Sequence, residues 1–99
     1  MTITDDLLIR FKKRMKISHS SEDDTLKDIL SASVEDIKAK CGQFDVYENE
    51  RARELVFERS RYVYNDAVEY FNENFASQIT SLALELYTPS EVLVDETTI

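Results

Sequence analysis

The chain has 99 residues, a length typical of one domain, and its 20 acidic and 12 basic residues give a formal net charge of -8. This acidic balance disfavours binding to nucleic acid through overall charge, because phosphate backbones attract basic surfaces. A single glycine and a single proline disfavour hairpin folds and phosphate-binding loops, which draw heavily on these residues. The composition therefore favours a helical domain.

The sequence also bears on the compartment. Cys41 is the only cysteine, so no intramolecular disulfide can form, and a reducing interior suits the chain. The first residues, 1–6, lack the basic and apolar regions of a signal peptide. No stretch approaches the ~18 apolar residues that a membrane span needs. We therefore expect a soluble protein in the cytosol where it is made.

The first predicted helix covers Asp5–Met15. Thr4 supplies a capping hydroxyl, and the acids that follow it suit the positive end of the helix dipole. Apolar residues recur at helical spacing, and basic residues surround them on the other faces: Leu7, Leu8, Phe11 and Met15, with Arg10, Lys12, Lys13, Arg14 and Lys16. Residues 17–21 are predicted to form a linker.

The second predicted helix covers Glu22–Lys40. Ser21 with Asp24 resembles a capping box, and Gly42 stands where a helix C-cap is expected. One apolar stripe runs along the helix at three-and-four spacing: Leu26, Ile29, Leu30, Ser33, Ile37 and Cys41. We expect the part of this stripe formed by Leu26, Ile29, Leu30 and Ile37 to pack against the next helix near Val56 and Val63.

Two further helices are predicted. Asp45 with Glu48 forms another capping-box pattern, which opens a long helix through Tyr70, and residues 72–74 are a candidate break or bend. A fourth helix is predicted over Phe75–Tyr87, and Pro89 ends it.

Together these patterns predict an all-α fold, a small bundle of about four helices. The helical domain would cover residues 1–87, and an extended C-terminal tail would cover residues 88–99. We expect helix in about two-thirds of the residues and no sheet in the core.

Signals for catalysis are weak in this chain. His19 is the only histidine, and a catalytic set with Ser18 or Ser20 is the alternative to a solvated linker, which we favour. Cys41 ends an apolar stripe and suits a small buried residue. One acidic cluster lacks the glycine and the spacing of a calcium loop, and helix capping explains it: Asp23, Asp24 and Asp28. We expect no enzyme activity, no metal and no cofactor.

Several features are candidates for binding. The basic run Arg10–Lys16 suits either nucleic-acid contact or, as we favour, a solvated helix end. Four tyrosines suit either an interface or the edge of a core: Tyr62, Tyr64, Tyr70 and Tyr87. The apolar, β-prone segment beyond Pro89 is a candidate for pairing with another chain. The candidate partner-binding residues are therefore Tyr87, Glu91, Val92, Leu93, Val94 and Asp95.

The order of these elements resembles the head–tail connector (head-completion adaptor) proteins of tailed bacteriophages. The resemblance rests on the basic helix that ends in Lys16-Ile17, on the acidic start at residues 22–24, and on the small-residue helix at residues 29–37. Tyrosines in the long helix and the last apolar helix complete it: Tyr62, Tyr64, Ile79, Leu82 and Leu86. It spans residues 5–87 and leaves the tail unmatched.

The resemblance implies a structural protein of virion assembly. Copies of the chain would form a ring that docks on the portal protein and extends the DNA channel towards a downstream tail or stopper protein. DNA would pass through the lumen without specific binding, and the protein would move from the host cytoplasm into the virion, at the head–tail interface of the capsid vertex. The alternative is a small helical regulator or inhibitor that binds one partner protein.

Overall fold

The computed structural model describes residues 3–87. Five α-helices follow one another: α1 (Asp5–Met15), α2 (Asp23–Cys41), α3 (Glu50–Tyr64), α4 (Phe71–Asn74) and α5 (Ala76–Leu86). A single 3₁₀ turn, Val68–Tyr70, precedes α4. Helix accounts for 74% of the described residues, which contain no strand. The predicted all-α class is confirmed.

Helix α1 has the predicted bounds because both of its ends are capped. The Thr4 hydroxyl accepts a hydrogen bond from the backbone N–H of Leu7 at 3.5 Å. At the other end Lys16 adopts a left-handed conformation with φ of 60°. The N–H of Ile17 then reaches back to the Lys12 carbonyl at 2.9 Å, as in a Schellman motif.

Helix α2 begins at Asp23 without the predicted capping box. Its N-cap residue is Glu22, whose side chain makes no capping hydrogen bond. The Ser21 hydroxyl is paired with the ring of His19 instead, so the prediction for Ser21 and Asp24 is wrong. The helix ends at Gly42, where φ is 115° and ψ is 175°. Because only glycine adopts this conformation readily, the predicted C-cap is confirmed.

Helix α3 begins later than its pattern predicted. The Asp45 carboxylate accepts a hydrogen bond from the N–H of Tyr47 at 2.9 Å, which stabilises a turn before the helix. The side chain of Asn49 caps the helix by accepting from Ala52 N–H at 3.0 Å. The predicted capping box of Asp45 and Glu48 is therefore wrong.

The predicted continuation of this helix through Tyr70 is also wrong. The helix ends at Tyr64, and Asp66 adopts a left-handed conformation with φ of 58°. The N–H of Ala67 donates to the Tyr62 carbonyl at 2.8 Å, which closes a second Schellman motif. The chain then turns through residues 68–74, before α5 begins one residue after the predicted start. Pro89, the predicted helix stop, lies outside the described residues.

The core is built on the pairing of α2 with α3, the most extensive contact between elements of the described residues. The buried side chains of α2 are Leu26, Leu30, Ser33, Val34, Ile37 and Cys41. Ile29 is only partly buried and lies outside the core cluster, whereas Val34, absent from the predicted stripe, is fully buried. Val56 is fully buried as predicted, and Val63 is partly buried.

A polar network lies within this pairing. Ser60 of α3 donates a hydrogen bond to Ser33 of α2, with 2.9 Å between the two hydroxyl oxygens, and both residues are fully buried. The Arg59 guanidinium donates to Ser33 at 3.1 Å and lies 3.0 Å from a carboxylate oxygen of Asp36. Lys40 joins the same carboxylate to the side chain of Asn72, so the network reaches α4. The network therefore satisfies the hydroxyls that the α2–α3 contact buries.

Helices α1 and α5 lie on different sides of α3. The ring of Phe57 packs against Phe11 of α1, with 5.6 Å between centroids. On the other side, Arg51 contacts Glu85 of α5 at 3.0 Å, and Tyr62 packs against Phe75 at 5.6 Å between centroids. At 3.6 residues per turn, Arg51 and Tyr62 share one face of α3, and Phe57 is roughly 120–140° away from it.

The different burial of two adjacent α2 residues gives a test of the packing. Leu30→Ala should lower the free energy of unfolding by about 2–4 kcal/mol, because Leu30 is fully buried. Ile29→Ala should cost clearly less, because Ile29 is partly exposed. Urea unfolding of both variants measures the difference. Equal losses would show that Ile29 is also a core residue.

Candidate interaction surfaces

The structure describes one of the six predicted partner-binding residues. Tyr87 follows the last residue of α5 and is 55% exposed. The other five, Glu91, Val92, Leu93, Val94 and Asp95, lie outside the described residues. Leu84, which the sequence patterns had not singled out, is 71% exposed one turn before Tyr87. Leu84 of α5 and Tyr87, immediately after the helix, therefore expose two large side chains to solvent.

The basic run of α1 is divided between internal contacts and solvent. Arg10 pairs with Asp6, Lys12 with Asp23, and Arg14 with Glu54 and Glu58. Lys13 and Lys16 are exposed and have no partner among the described residues. They follow Ile9, which is 51% exposed, at i+4 and i+7. We call Ile9, Lys13 and Lys16 the outer α1 face.

Lys13 and Lys16 differ from the other cations of the chain in their lack of side-chain partners among the described residues. All twelve lysine and arginine residues lie within the described range. Ten of them contact a carboxylate, a backbone carbonyl or an aromatic ring inside the same chain: Arg10, Lys12, Arg14, Lys27, Lys38, Lys40, Arg51, Arg53, Arg59 and Arg61. The cationic charge that remains for a partner is therefore concentrated on the outer α1 face.

A groove of about 620 Å³ lies between α3 and α5, and we call it the α3–α5 groove. Leu55 and Phe75 contribute apolar surface to it. Its lining includes five carboxylates: Glu48, Glu50, Glu54, Glu58 and Glu85. The last three contact arginines, whereas Glu48 and Glu50 are exposed and have no side-chain partner among the described residues. The lining of the groove is therefore mostly acidic, and it also includes Arg51 and the apolar residues Leu55 and Phe75.

Arg14 of α1 contacts two of the groove carboxylates on α3, Glu54 and Glu58. Its guanidinium makes a bidentate contact with Glu54, with nitrogen–oxygen distances of 2.6 and 2.7 Å, and lies 5.6 Å from the centre of the Phe57 ring. The hydrogen bond from Arg14 lowers the pKa of Glu54, and the bond to Glu54 raises the pKa of Arg14. This pair therefore ties α1 to α3 while both groups stay charged.

The four candidate tyrosines divide into two classes. Tyr62 packs edge-on against Phe71 and Phe75. Tyr64 donates a hydrogen bond to Glu22 at 2.9 Å, and this contact raises the pKa of the phenol. Tyr70 is 59% exposed beside the exposed Val68, and Tyr87 is the other exposed member. Tyr62 and Tyr64 therefore hold the fold together, and Tyr70 and Tyr87 are available for contact.

The polar linker places His19 beside Ser21 rather than Ser18 or Ser20. Nδ1 of His19 lies 3.0 Å from the Ser21 hydroxyl, and Nε2 lies 3.7 Å from a Glu22 carboxylate oxygen. The side chains of His19 and Glu22 are 54% and 41% exposed. Such an open position neither holds a substrate nor excludes water, so the contacts are best explained as a solvated turn before α2.

Cys41 occupies the apolar position that its pattern predicted. Its thiol donates to the Ile79 carbonyl with 3.4 Å between sulfur and oxygen, and burial raises its pKa, which favours the protonated form. Asp23, one of the clustered acids, pairs with Lys12 at 2.7 Å. Residues 3–87 hold no group of three potential metal ligands, and none of their helices is long and apolar enough to cross a membrane.

Comparison with known protein families gives a match. A family model described as phage gp6-like head-tail connector protein matches residues 5–97 of the chain. The matched range continues past Tyr87, where the resemblance noted in the sequence ended, and it includes most of the tail. No curated protein and no solved structure matches the chain.

The Arg14–Glu54 pair makes stability depend on pH. Because the pKa of Glu54 is lowered from 4.5 in the folded state, its stabilising contribution is present above pH 4.5 and is lost as the pH falls through the lowered pKa. The melting temperature of Glu54→Gln should therefore fall less steeply with decreasing pH than that of the wild type. Glu50→Gln retains the pair and is the control on the same helix. Identical slopes for Glu54→Gln and the wild type would contradict the assignment.

Proposed function

The chain belongs to the phage gp6-like head–tail connector family, and on that premise we propose that it forms a ring that docks on the portal vertex and extends the DNA channel between head and tail. Membership makes the chain a structural protein of phage assembly, located at the head–tail connection. The match over residues 5–97 is the observation that carries the proposal. The partners would be neighbouring copies, the portal protein and a downstream tail or stopper protein.

The charge of the chain supports a role beside passing DNA. Ten of the twelve cations are used in contacts within the chain, so little positive charge is left to bind phosphate. The outward positions of α2 include exposed carboxylates at Asp24, Asp28 and Glu35. A lumen lined with such groups would repel DNA at short range and keep it from binding during transit.

The tail is our proposed docking segment for the portal or an adjacent copy. Val92, Leu93 and Val94 are apolar and β-prone, and Glu91 and Asp95 flank them with negative charge. Added to the edge of another sheet, these residues would gain backbone hydrogen bonds and bury alternate side chains. Tyr87 and Leu84 supply exposed apolar surface immediately before this segment. The proposed docking surface therefore begins at the end of α5.

Removal of the tail should separate folding from assembly. A chain truncated after Tyr87 should melt like the full-length protein, because the core cluster lies within residues 3–86. It should fail to bind purified portal rings in sedimentation assays. Val92→Asp with Val94→Asp should give the same loss in a full-length chain, and Thr97→Ala with Thr98→Ala is the matched control.

Two outcomes would contradict this assignment. A truncated chain that joins portal rings as well as the full-length protein would remove the tail from the interface. A full-length chain that does not bind portal rings and forms a tight one-to-one complex with a host protein would favour the alternative function, a small helical regulator or inhibitor.

We also propose that assembly requires no catalytic step by this chain. His19→Ala and Cys41→Ala should each support production of infectious phage at the wild-type level, because His19 is solvated and the Cys41 thiol is buried. A complementation assay with phage lacking the chain measures this, and melts of both variants check the fold. Loss of infectivity in a stably folded variant would indicate a chemical role for that residue.

A further inference from the structure

We propose that the outer α1 face of one copy docks in the α3–α5 groove of a second copy. The inference rests on the ring assembly proposed above and deepens it by assigning the two surfaces that meet. The outer α1 face has no partner within residues 3–87, and the groove is an open, mainly acidic depression between α3 and α5. Both surfaces lie within the described residues.

The shapes and the apolar groups of the two surfaces suit helix-in-groove recognition. Ile9 stands out from α1 with half of its surface exposed, whereas Leu7, Leu8 and Phe11 on the opposite side are buried. Leu55 and Phe75 provide apolar surface in the groove. An amphipathic helix that lays an apolar face into a groove is a common form of peptide recognition. Ile9 is the residue that would be inserted here.

The charges identify a second copy of this chain as the occupant. Lys13 and Lys16 are the two cations without a partner among the described residues, and both follow Ile9 on the outer α1 face, towards the C-terminal end of the helix. Glu48 and Glu50 are carboxylates of the groove that have no side-chain partner within residues 3–87. Docking would therefore bring two unpaired cations to two unpaired carboxylates around an apolar contact, which favours correct pairing over wrong partners.

The arrangement of the helices allows this contact to repeat. Helix α1 packs beside Phe57, and α5, which forms one wall of the groove, packs on the face of α3 that carries Arg51 and Tyr62. Two different surfaces would meet at each contact, so the interface is heterologous. Such interfaces add subunits in one direction and close into rings when the rotation permits.

Charge reversal gives a direct test with the full-length chain. Variant A carries Lys13→Glu and Lys16→Glu, and variant B carries Glu48→Lys and Glu50→Lys. In each variant alone, the two surfaces that meet would carry charges of the same sign. We therefore expect its self-association to weaken by about tenfold or more. Sedimentation velocity with and without portal rings measures this. An equimolar mixture would restore opposite charges at every contact in an alternating assembly. The mixture should therefore assemble as the wild type does.

The controls separate this contact from general charge effects and from misfolding. Asp28→Lys with Glu35→Lys changes net charge as variant B does, but at exposed positions of α2 outside the groove, and should assemble normally. Melts verify that each variant is folded, and rescue in the mixture excludes damage to either chain.

The outcomes also separate the two proposals. Rings formed by variant A or variant B alone, at wild-type concentrations, would overturn this interface and leave the connector ring intact. Two impaired variants that fail to assemble when mixed would overturn it as well. A wild-type chain that stays monomeric with portal rings at every concentration would overturn the ring, and the interface with it.

Discussion

The close contact between α2 and α3 is the constraint on which the rest of the structure depends. A hydroxyl–hydroxyl distance of 2.9 Å between Ser33 and Ser60 requires the two helices to approach closely, and small side chains at these positions permit it. Larger residues there would separate the helices and strain the surrounding core. The buried hydroxyls are satisfied by each other and by Arg59, so close approach does not leave a polar group unpaired. Helices α1 and α5 then pack on the two sides of this pair.

Ion pairs determine how the outer helices are placed on that pair. Arg14 holds α1 to Glu54 of α3, and Arg51 with Asn49 holds the end of α5 through Glu85. Each exposed pair contributes little alone, but together these contacts use nearly all the positive charge of an acidic chain. Among the described residues, the exposed charges without a partner are then carboxylates, apart from Lys13 and Lys16. The ion pairs that hold the helices together therefore leave the outer α1 face as the basic surface for intermolecular contact.

The sequence predicted the helices better than their ends. Helix α1 matched because Thr4 keeps its capping contact with Leu7 although its hydroxyl also contacts that of Tyr47. Asp45, by contrast, formed a turn with its own neighbour Tyr47 and left the cap of α3 to Asn49. Capping patterns specify several nearby arrangements of similar energy, and tertiary packing decides between them. The end of α3 depends on the left-handed conformation of Asp66. The sequence does not indicate this end, because no glycine, the usual residue in that conformation, follows the helix. The predicted stripe of α2 included Ile29 and missed Val34. Spacings of three and four residues fit both the predicted stripe and the observed one, which differ only in that one member.

The candidate surfaces depend even more on three-dimensional information. The basic run of α1 was interpreted as a solvated helix end, but three of its five cations proved to be bound to carboxylates of the same chain. Only those pairings show that Lys13 and Lys16 are the cations left unpaired among the described residues. The α3–α5 groove combines residues up to 37 positions apart in sequence, from Glu48 to Glu85, so no local pattern could have indicated it. Residue types could show which charges are available for assembly, whereas the fold determines which of them remain unpaired at the surface.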